Sequence, residues 1–392
     1  MNETNKQEKG MESIRKNAID KYHSLEMPIL RYGLGIYVDL ADLKIDDLLK
    51  ESNTKDKLRI DADLKVKIVN LAFAEKDFLD KYFDKLASYN ENKLTALHYA
   101  VLNDALAIII PKGISLAKPI LINSNLISKS KSESIIVIAE ENSKAAVIEI
   151  SESSGDAYFK SQIIQVYAEK NSELTYCSLQ NLNEKTYNFS VKRGEAKGNA
   201  KIKWVDVAFG GKFSQLRMRT ELIAPGAITK KYGVFFGNGK QQFDLNIESI
   251  HKTHHTESSM HHRGVLNDYA KSIFRGTVKI DKNAYGSIGH QKSDVILLGE
   301  NAKCDAVPIL DVENDEVVCS HGMTMGQLDP DQIFYLLSRG LNEDDAKKMI
   351  LLGFLEPLFR ELENEELREK MLDLVDKKTI FKEAIEVKNA SN

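Results

Sequence analysis

The sequence predicts a mainly β protein, with a long strand solenoid set between helical regions at its N- and C-terminal sides. Three observations carry this. From Ala105 the apolar residues fall into short runs of four to eight, many β-branched or aromatic, for about 210 residues. The connectors between runs resemble one another: Glu141-Asn142-Ser143, Lys170-Asn171-Ser172, Gly198-Asn199-Ala200, Lys282-Asn283-Ala284 and Glu300-Asn301-Ala302. Before and after this stretch the apolar spacing becomes helical. Irregular repeats suit coils that stack only on their neighbours. Asparagine can cap such turns because it tolerates the left-handed conformation. A β-sandwich is the competing fold, but the strands outnumber the roughly seven to nine of a sandwich.

Residues 1–104 form a mostly helical N-terminal region. Met11 to Leu25 predicts a helix ahead of Pro28. Leu64 to Leu97 carries Val69, Leu71, Phe73, Phe78, Leu79 and Phe83 at helical spacings, interrupted at Asn90-Glu91-Asn92. Residues 105–325 form the β core. Residues 326–392 form a C-terminal helical domain. Asp329-Pro330 starts its first helix, and Ser338-Arg339-Gly340 ends it. Asn342 caps the second, with Asp345 approximating a capping box. Pro357 should kink or break that helix. A charged amphipathic helix follows from about Leu362 to Lys377. These helices are expected to cap the open end of the core, to dock a partner, or both.

The chain of 392 residues is 42% hydrophobic and 29% charged, enough to bury a real core. Its 54 basic and 58 acidic residues leave a net charge of -4, which argues against a strongly basic nucleic-acid binder. Cys177, Cys304 and Cys319 are too few and too scattered for a disulfide framework and suit a reducing compartment. The polar start shows no apolar leader, and the apolar stretch at Ala105–Pro111 is too short to span a bilayer. A soluble, cytoplasmic protein is expected. Gly210-Gly211-Lys212 and Gly237-Asn238-Gly239-Lys240 lack the partner positions and strand–helix context of a phosphate-binding loop. Neither a calcium loop nor a nucleophile elbow is present.

Two groups could carry chemistry. Five of the nine histidines, His251, His254, His255, His261 and His262, fall within twelve residues. Alternation would put His251 with His255, or His255 with Glu257, on one face of a strand. The spacing matches no zinc motif, so most of these histidines read as surface or interface residues. Cys319 and His321 stand two apart, which in a strand places both on one face. A thiolate and an imidazole are good ligands for iron or zinc. They could also form a nucleophile–base pair, or be a buried cysteine beside a turn histidine.

From Cys319 the run CSHGMTMGQLDPDQIFYLLSRGLNEDDAKKMILLGFLEPLF resembles the C-terminal signature of the SufB/SufD family of iron–sulfur cluster assembly proteins. Upstream, HHTESSMHHRGVLNDYAKSIFRGTVKIDKNA resembles the family's histidine, arginine-glycine and phenylalanine-arginine-glycine stretch. IIIPKG at 108–113 resembles the strand that opens the family's core. The resemblance covers roughly residues 105–380. It implies a right-handed parallel β-helix with helical regions at either end. It implies a heterodimer of SufB and SufD formed across the β-helices, with each C-terminal helical region docking one SufC ATPase. The complex would receive sulfur and iron and build a nascent cluster.

His321 resembles the SufD position that contributes to the cluster site at the dimer interface, and Cys319 lies beside it. These two are the candidate metal and cofactor-binding residues. No catalytic residue is expected, and no tightly bound cofactor beyond a transient iron–sulfur cluster. The family's SufB-type chains carry a cysteine in a QCDS-like segment. The matching stretch here is Lys292-Ser293-Asp294-Val295, so serine stands at that position, which favours a SufD-like role. The expected function is therefore a non-catalytic scaffold that pairs with a SufB-like subunit or with itself and docks SufC-type ATPases. The alternatives are a structural β-helix without metal and a carbohydrate-active β-solenoid. The latter would need paired carboxylates, for which Asp206, Asp244 and Glu248 are candidates without distinctive spacing.

Overall fold

The structure is a computed structural model and describes residues 4–28, 31–32, 36–37, 43, 45–49, 56–362 and 364–379. The last part of the sequence-defined C-terminal domain, 380–392, lies outside the described residues. The core is a parallel β-solenoid of about eight turns, not a sandwich. Each turn gives one strand to each of two nine-stranded sheets. The eight parallel strands of one sheet run from Asp104–Ile110 to Lys303–Val312 and those of the other from Ile120–Asn123 to Val318–Gly326; an antiparallel strand, Lys67–Asn70 or Arg59–Asp61, is the ninth of each. Pairing is parallel and in register over most of each strand, as in Glu173 with Lys144 on one side and Lys201 on the other.

The coil is possible because its corners repeat. Asn142, Asn171 and Asn199 have φ of 57°, 57° and 54°, the left-handed conformation expected of them. Their side chains form a ladder: Asn171 Nδ2 donates to Asn142 Oδ1 at 3.0 Å, and Asn199 Nδ2 to Asn171 Oδ1 at 3.1 Å. Asn283 and Asn301 do not continue it, since neither has positive φ. In the later coils Gly226, His255 and Gly286 take the left-handed conformation instead.

Residues before the core depart from the mostly helical expectation. Thr4–Ser24 is helical as the spacing predicts. Leu64 to Leu97, however, holds two short helices, Lys76–Tyr82 and Lys93–Ala100, after a strand at Lys67–Asn70. Asn92 is the N-cap of the second, its side chain accepting from the backbone of Leu94 and Thr95. These helices lie on the outer face of the sheet that holds Asp104–Ile110, where Phe83, Tyr99 and Leu102 pack with Ile136, Ile138 and Ile163.

The C-terminal helices Pro330–Ser338, Glu343–Phe359 and Glu365–Lys378 do not cap the open end of the core. The last two pack along the flank of the other sheet, where Leu351, Leu355, Phe359 and Met371 bury Cys177, Val205, Val207, Phe209 and Phe236, while Pro330–Ser338 lies against Glu343–Phe359. That sheet is apolar on both faces, and a helical layer is what its outer face requires. Asn342 Oδ1 accepts from Asp345 N at 2.8 Å, as the capping pattern predicts. Pro357 does not break its helix, which runs on to Phe359. Among the described residues no helix is long and apolar enough to cross a membrane.

Candidate functional site

The final coil is where the sequence-predicted residues meet the surface. Cys319 and His321 lie on the outermost strand of their sheet, opposite Gly289 and Gln291 of the strand beneath. Strand alternation turns both toward the lumen, so the structure brings them to one face. Cys319 is half-buried against the end of the core, and His321 is exposed. Cys304 is on the outermost strand of the facing sheet and also packs against the core's end, its Sγ accepting from Ser272 Oγ at 3.2 Å. Burial pushes the Cys304 thiol up to about 11 and raises that of Cys319 despite the Gly289 backbone bond to its sulfur. Neither is an activated thiolate in the isolated chain. Ser293 lies one strand inward with its hydroxyl buried, between His262 and Met323. Among the described residues no group of three His, Cys, Asp or Glu is arranged to hold a metal.

In the earlier coils, toward the N-terminal end, the lumen is polar, which the sequence reading missed. Lys131 Nζ lies 2.8 Å from Glu133, and Lys160 Nζ 3.0 Å from the same carboxylate, all with no exposed side-chain surface to speak of. Burial alone would raise the Glu133 carboxyl, but Lys160 and Lys131 outweigh it and hold it well below the usual range. Further along, Lys192 meets Asp206 at 2.6 Å, and Tyr176 donates to Glu149 at 2.9 Å. Lys160, Lys192, Asp206 and His262 line a chamber of about 40 Å³. That is room for about two or three waters. Charges spaced at alternate positions along a strand look like a solvated face. Here Lys131 and Glu133 meet on one strand, Lys192 and Asp206 meet across the lumen of one coil, and Lys160 reaches Glu133 from the next coil, so alternation alone does not tell this buried network from a solvated face.

The histidine-rich stretch divides between lumen and surface. The strand ends at His251 and resumes at Glu257, with a corner between them in which His255 has φ of 53°. The same-face pairs expected of an extended strand therefore do not form. His251 is buried, bonded to Thr256 and Ser258 hydroxyls at 2.7 and 2.8 Å. His262 is buried against Phe274, ring centroids 4.9 Å apart. It leans across the preceding coil: a Cβ on Gly233 would stand 2.0 Å from its ring. His254, His255 and His261 are not buried, as the sequence reading expects for most of the group.

The arginine-glycine motifs are structural for the same reason. Gly264 leaves room for the Phe235 ring and Gly276 for the Gln291 carboxamide, each within 2.2 Å of where a Cβ would be. Their arginines point outward. Arg263 donates to the Phe354 carbonyl and stacks on its ring at 5.0 Å, tying the C-terminal helices to the core. Arg275 pairs with the buried Asp244. Glu248 pairs with Arg219 at 2.6 Å. Asp206, Asp244 and Glu248 are thus each engaged by a cation and do not face one another as a carboxylate pair.

Two surfaces leave apolar groups in water. At the open coil Val318 is 57% and Met325 49% exposed, beside Ile309, Leu310 and Val312. On the C-terminal helices Phe334 is 72% and Tyr335 56% exposed, beside Leu337 and Met349. Patches of this kind mark interaction sites.

Residues 121–354 match the family described as SUF system FeS cluster assembly, SufBD core domain. The chain is 29% identical over 357 residues to the iron–sulfur cluster assembly protein SufD of Bacillus subtilis (strain 168), covering 86% of this chain and 81% of that protein. It is 27% identical over 291 residues to an iron–sulfur cluster assembly SufBD family protein of Staphylococcus saprophyticus, and 28% over 293 residues to one of Staphylococcus aureus (strain MRSA252). In both cases 73% of this chain but 63% of the staphylococcal protein is covered.

Proposed function

This chain belongs to the SufBD core family of the SUF iron–sulfur cluster assembly system, and on that premise we propose that it is a SufD-like scaffold subunit without turnover of its own. It pairs through its open final coil with a SufB-like subunit or a second copy of itself. The observation that carries this is the open end, where among the described residues two strands stand at the edges of their sheets and a row of apolar side chains is exposed. A partner's sheet would extend both ladders there. The nascent cluster is the cargo of that junction. Cys319 and His321 supply two donors, and the partner completes the set that four-coordinate iron needs. Serine at 293 removes one thiol from this side, which makes the partner's donors necessary. The Phe334 and Tyr335 surface docks a SufC-type ATPase.

The test is anaerobic reconstitution of the paired complex with iron and sulfide. Cys319→Ala and His321→Ala should each lower cluster absorbance without releasing the partner. An unchanged cluster signal in both variants would remove Cys319 and His321 from the cluster site, and no cluster in the parent complex would favour a structural β-helix without metal. Phe334→Asp with Tyr335→Asp should abolish capture of the ATPase, and full capture would remove that surface from the proposal.

A further inference from the structure

A cleft on the outer face of the sheet that holds Asp104–Ile110 has no part in the scaffold reading. It lies where the loop before the helix Lys93–Ala100 meets the strands Tyr187–Ala196, Phe213–Leu222 and Gln242–His251, and its volume is about 350 Å³. Arg193, Arg217 and Arg219 line it, and Glu91 and Glu248 are the carboxylates among its lining residues. Arg217 and Arg219 stand two apart on one strand, so both project from the same face, while Met218 between them packs in the core. Arg193 is the register partner of Arg219 on the preceding coil, and Glu248 is its partner on the next.

Like charges side by side on a sheet repel, and the carboxylates here answer only part of that repulsion. Arg193 is buried and fully committed: its Nη2 donates to Glu91 at 3.0 Å and its Nη1 to the Arg217 carbonyl at 2.8 Å. Arg219 donates through Nε to Glu248 at 2.6 Å. That bond uses one edge of the guanidinium. Both Nη groups of Arg219 are left without a partner among the described residues, on a side chain that is 41% exposed. The Arg217 side chain has no hydrogen-bond or ion-pair partner among the described residues and is partly exposed. The free donors of the cleft are therefore open to solvent and can be reached. Asn92 also lines the cleft, and it is the N-cap of Lys93–Ala100, so the positive end of that helix faces the same space. Three cations against two carboxylates leave a positive excess.

We propose that this cleft binds a phosphate-type oxyanion, either inorganic phosphate or the phosphate group of a small monoester. Its oxygens accept from the free Nη groups of Arg219 and from the Arg217 guanidinium, two planar forks on one strand face that match a doubly charged oxyanion. Glu248 and Glu91 hold Arg219 and Arg193 in place before the anion arrives, so little ordering is left to the binding step. The cleft is larger than one phosphate needs, which leaves room for the polar body of an ester. No aromatic side chain lines it, so it offers nothing for a nucleobase to stack on. The occupant ties the loop before Lys93–Ala100 to the strands of two coils. The site does not depend on partner pairing, so it can be tested on the full chain alone.

The experiment is calorimetric titration of the full chain, at constant ionic strength, with inorganic phosphate, glycerol 3-phosphate and acetate. A phosphate probe should saturate a single site, with acetate at least about tenfold weaker, since one carboxylate cannot engage both forks. Tighter binding of glycerol 3-phosphate assigns the site to an ester, and equal or tighter binding of inorganic phosphate assigns it to the free ion. Arg217→Gln should weaken the phosphate probe by about tenfold or more. Arg217→Lys keeps the charge without the fork and should weaken it less. Without any probe, Arg217→Gln should melt no lower than the parent, because it removes a cation that has no partner and stands beside two others. Unchanged affinity in Arg217→Gln, or acetate binding as tightly as phosphate, would overturn the proposal. So would a failure of both phosphate probes to saturate, which would leave the arginines as a contact for an acidic protein surface.

Discussion

The two ends of the solenoid are built on opposite plans. At the N-terminal end both sheets finish on an antiparallel strand from the chain itself: Arg59–Asp61 beside Ile120–Asn123, and Lys67–Asn70 beside Asp104–Ile110. Leu58 and Val66 close the lumen there, and Asp104 Oδ2 accepts from the buried Leu58 amide at 2.7 Å. At the C-terminal end the strands Lys303–Val312 and Val318–Gly326 are outermost, with lumen-side residues Cys304, Cys319 and Met323 only half-buried. An open edge invites pairing, and proteins normally cover or charge one. Among the described residues one end is covered and the other is left apolar, which is the observation behind the proposed pairing.

The comparison breaks or holds on a pair of substitutions. Ile108 is fully buried at the closed end, and Ile108→Ala should cost about 2–5 kcal/mol in urea unfolding. Leu310 is partly exposed at the open end, and Leu310→Ala should cost about 1 kcal/mol or less in the isolated chain. If the proposed pairing covers that side chain, the same variant should weaken pairing by about tenfold or more in sedimentation measurements. Similar stability losses for the two variants, with pairing intact, would mean that the open end is a finished surface.

The acid response sharpens the comparison, because buried neutral histidines are found near both ends. Burial lowers His98 to about 3, His251 to about 4 and His262 to about 3. His98 is held among Ser132, Ser134 and Ser161 under the N-terminal helices, whereas His251 and His262 lie in the later coils. Unfolded histidine takes up a proton near pH 6.5, and these three do so only much lower. Stability is therefore full above pH 6.5 and falls as the pH drops toward 4, by about 1.4 kcal/mol per pH unit for each histidine. Glu133, held low by its lysines, adds to the loss only below about pH 4.5. Thermal melts between pH 7 and 5 should show this slope, and His262→Phe should reduce it by about one third. A slope that His262→Phe leaves unchanged would remove His262 from the account.

Where the sequence was legible, a local rule and the fold agreed. Asp329 and Asn342 cap helices, and Asn142, Asn171 and Asn199 turn corners, because each acts on backbone within a few residues of itself. What was not legible depends on contacts between coils. The repeat lengthens from 28 residues at Asn171–Asn199 to 32 at Lys279–Asp311, and glycine or histidine replaces asparagine at the corner, so a search on asparagine loses it. The lumen ion pairs join residues across the lumen or between coils, as Lys192 with Asp206 and Lys160 with Glu133. The flank position of the C-terminal helices did leave a signal: Cys177, Leu179, Val205 and Val207 make the outer face of their strands apolar, and an outward apolar face requires a cover. Cys319 and His321 could be placed on one face by spacing alone, but their position at an uncovered edge needed the whole coil count.

The smallest predicted effect separates the two halves of the corner. Asn171 has φ of 57° and bridges Asn142 and Asn199 through its side chain. Asn171→Ala puts a Cβ residue without a local polar partner into the left-handed region and breaks the ladder, at about 1 kcal/mol. Asn171→Gly relieves the backbone cost and keeps only the lost ladder bonds, so it should cost less than the alanine variant. Asn283 lies in a later turn without positive φ, and Asn283→Ala should change stability by less than about 0.5 kcal/mol. If Asn171→Gly costs as much as Asn171→Ala, the ladder rather than the backbone angle holds the corner. The later coils, where Gly226, His255 and Gly286 keep the angle without an asparagine ladder, would then have the weaker corner, and amide exchange there should run faster than around Asn171. If the two variants differ as expected, the angle is what every coil shares, and both halves should exchange alike at this corner.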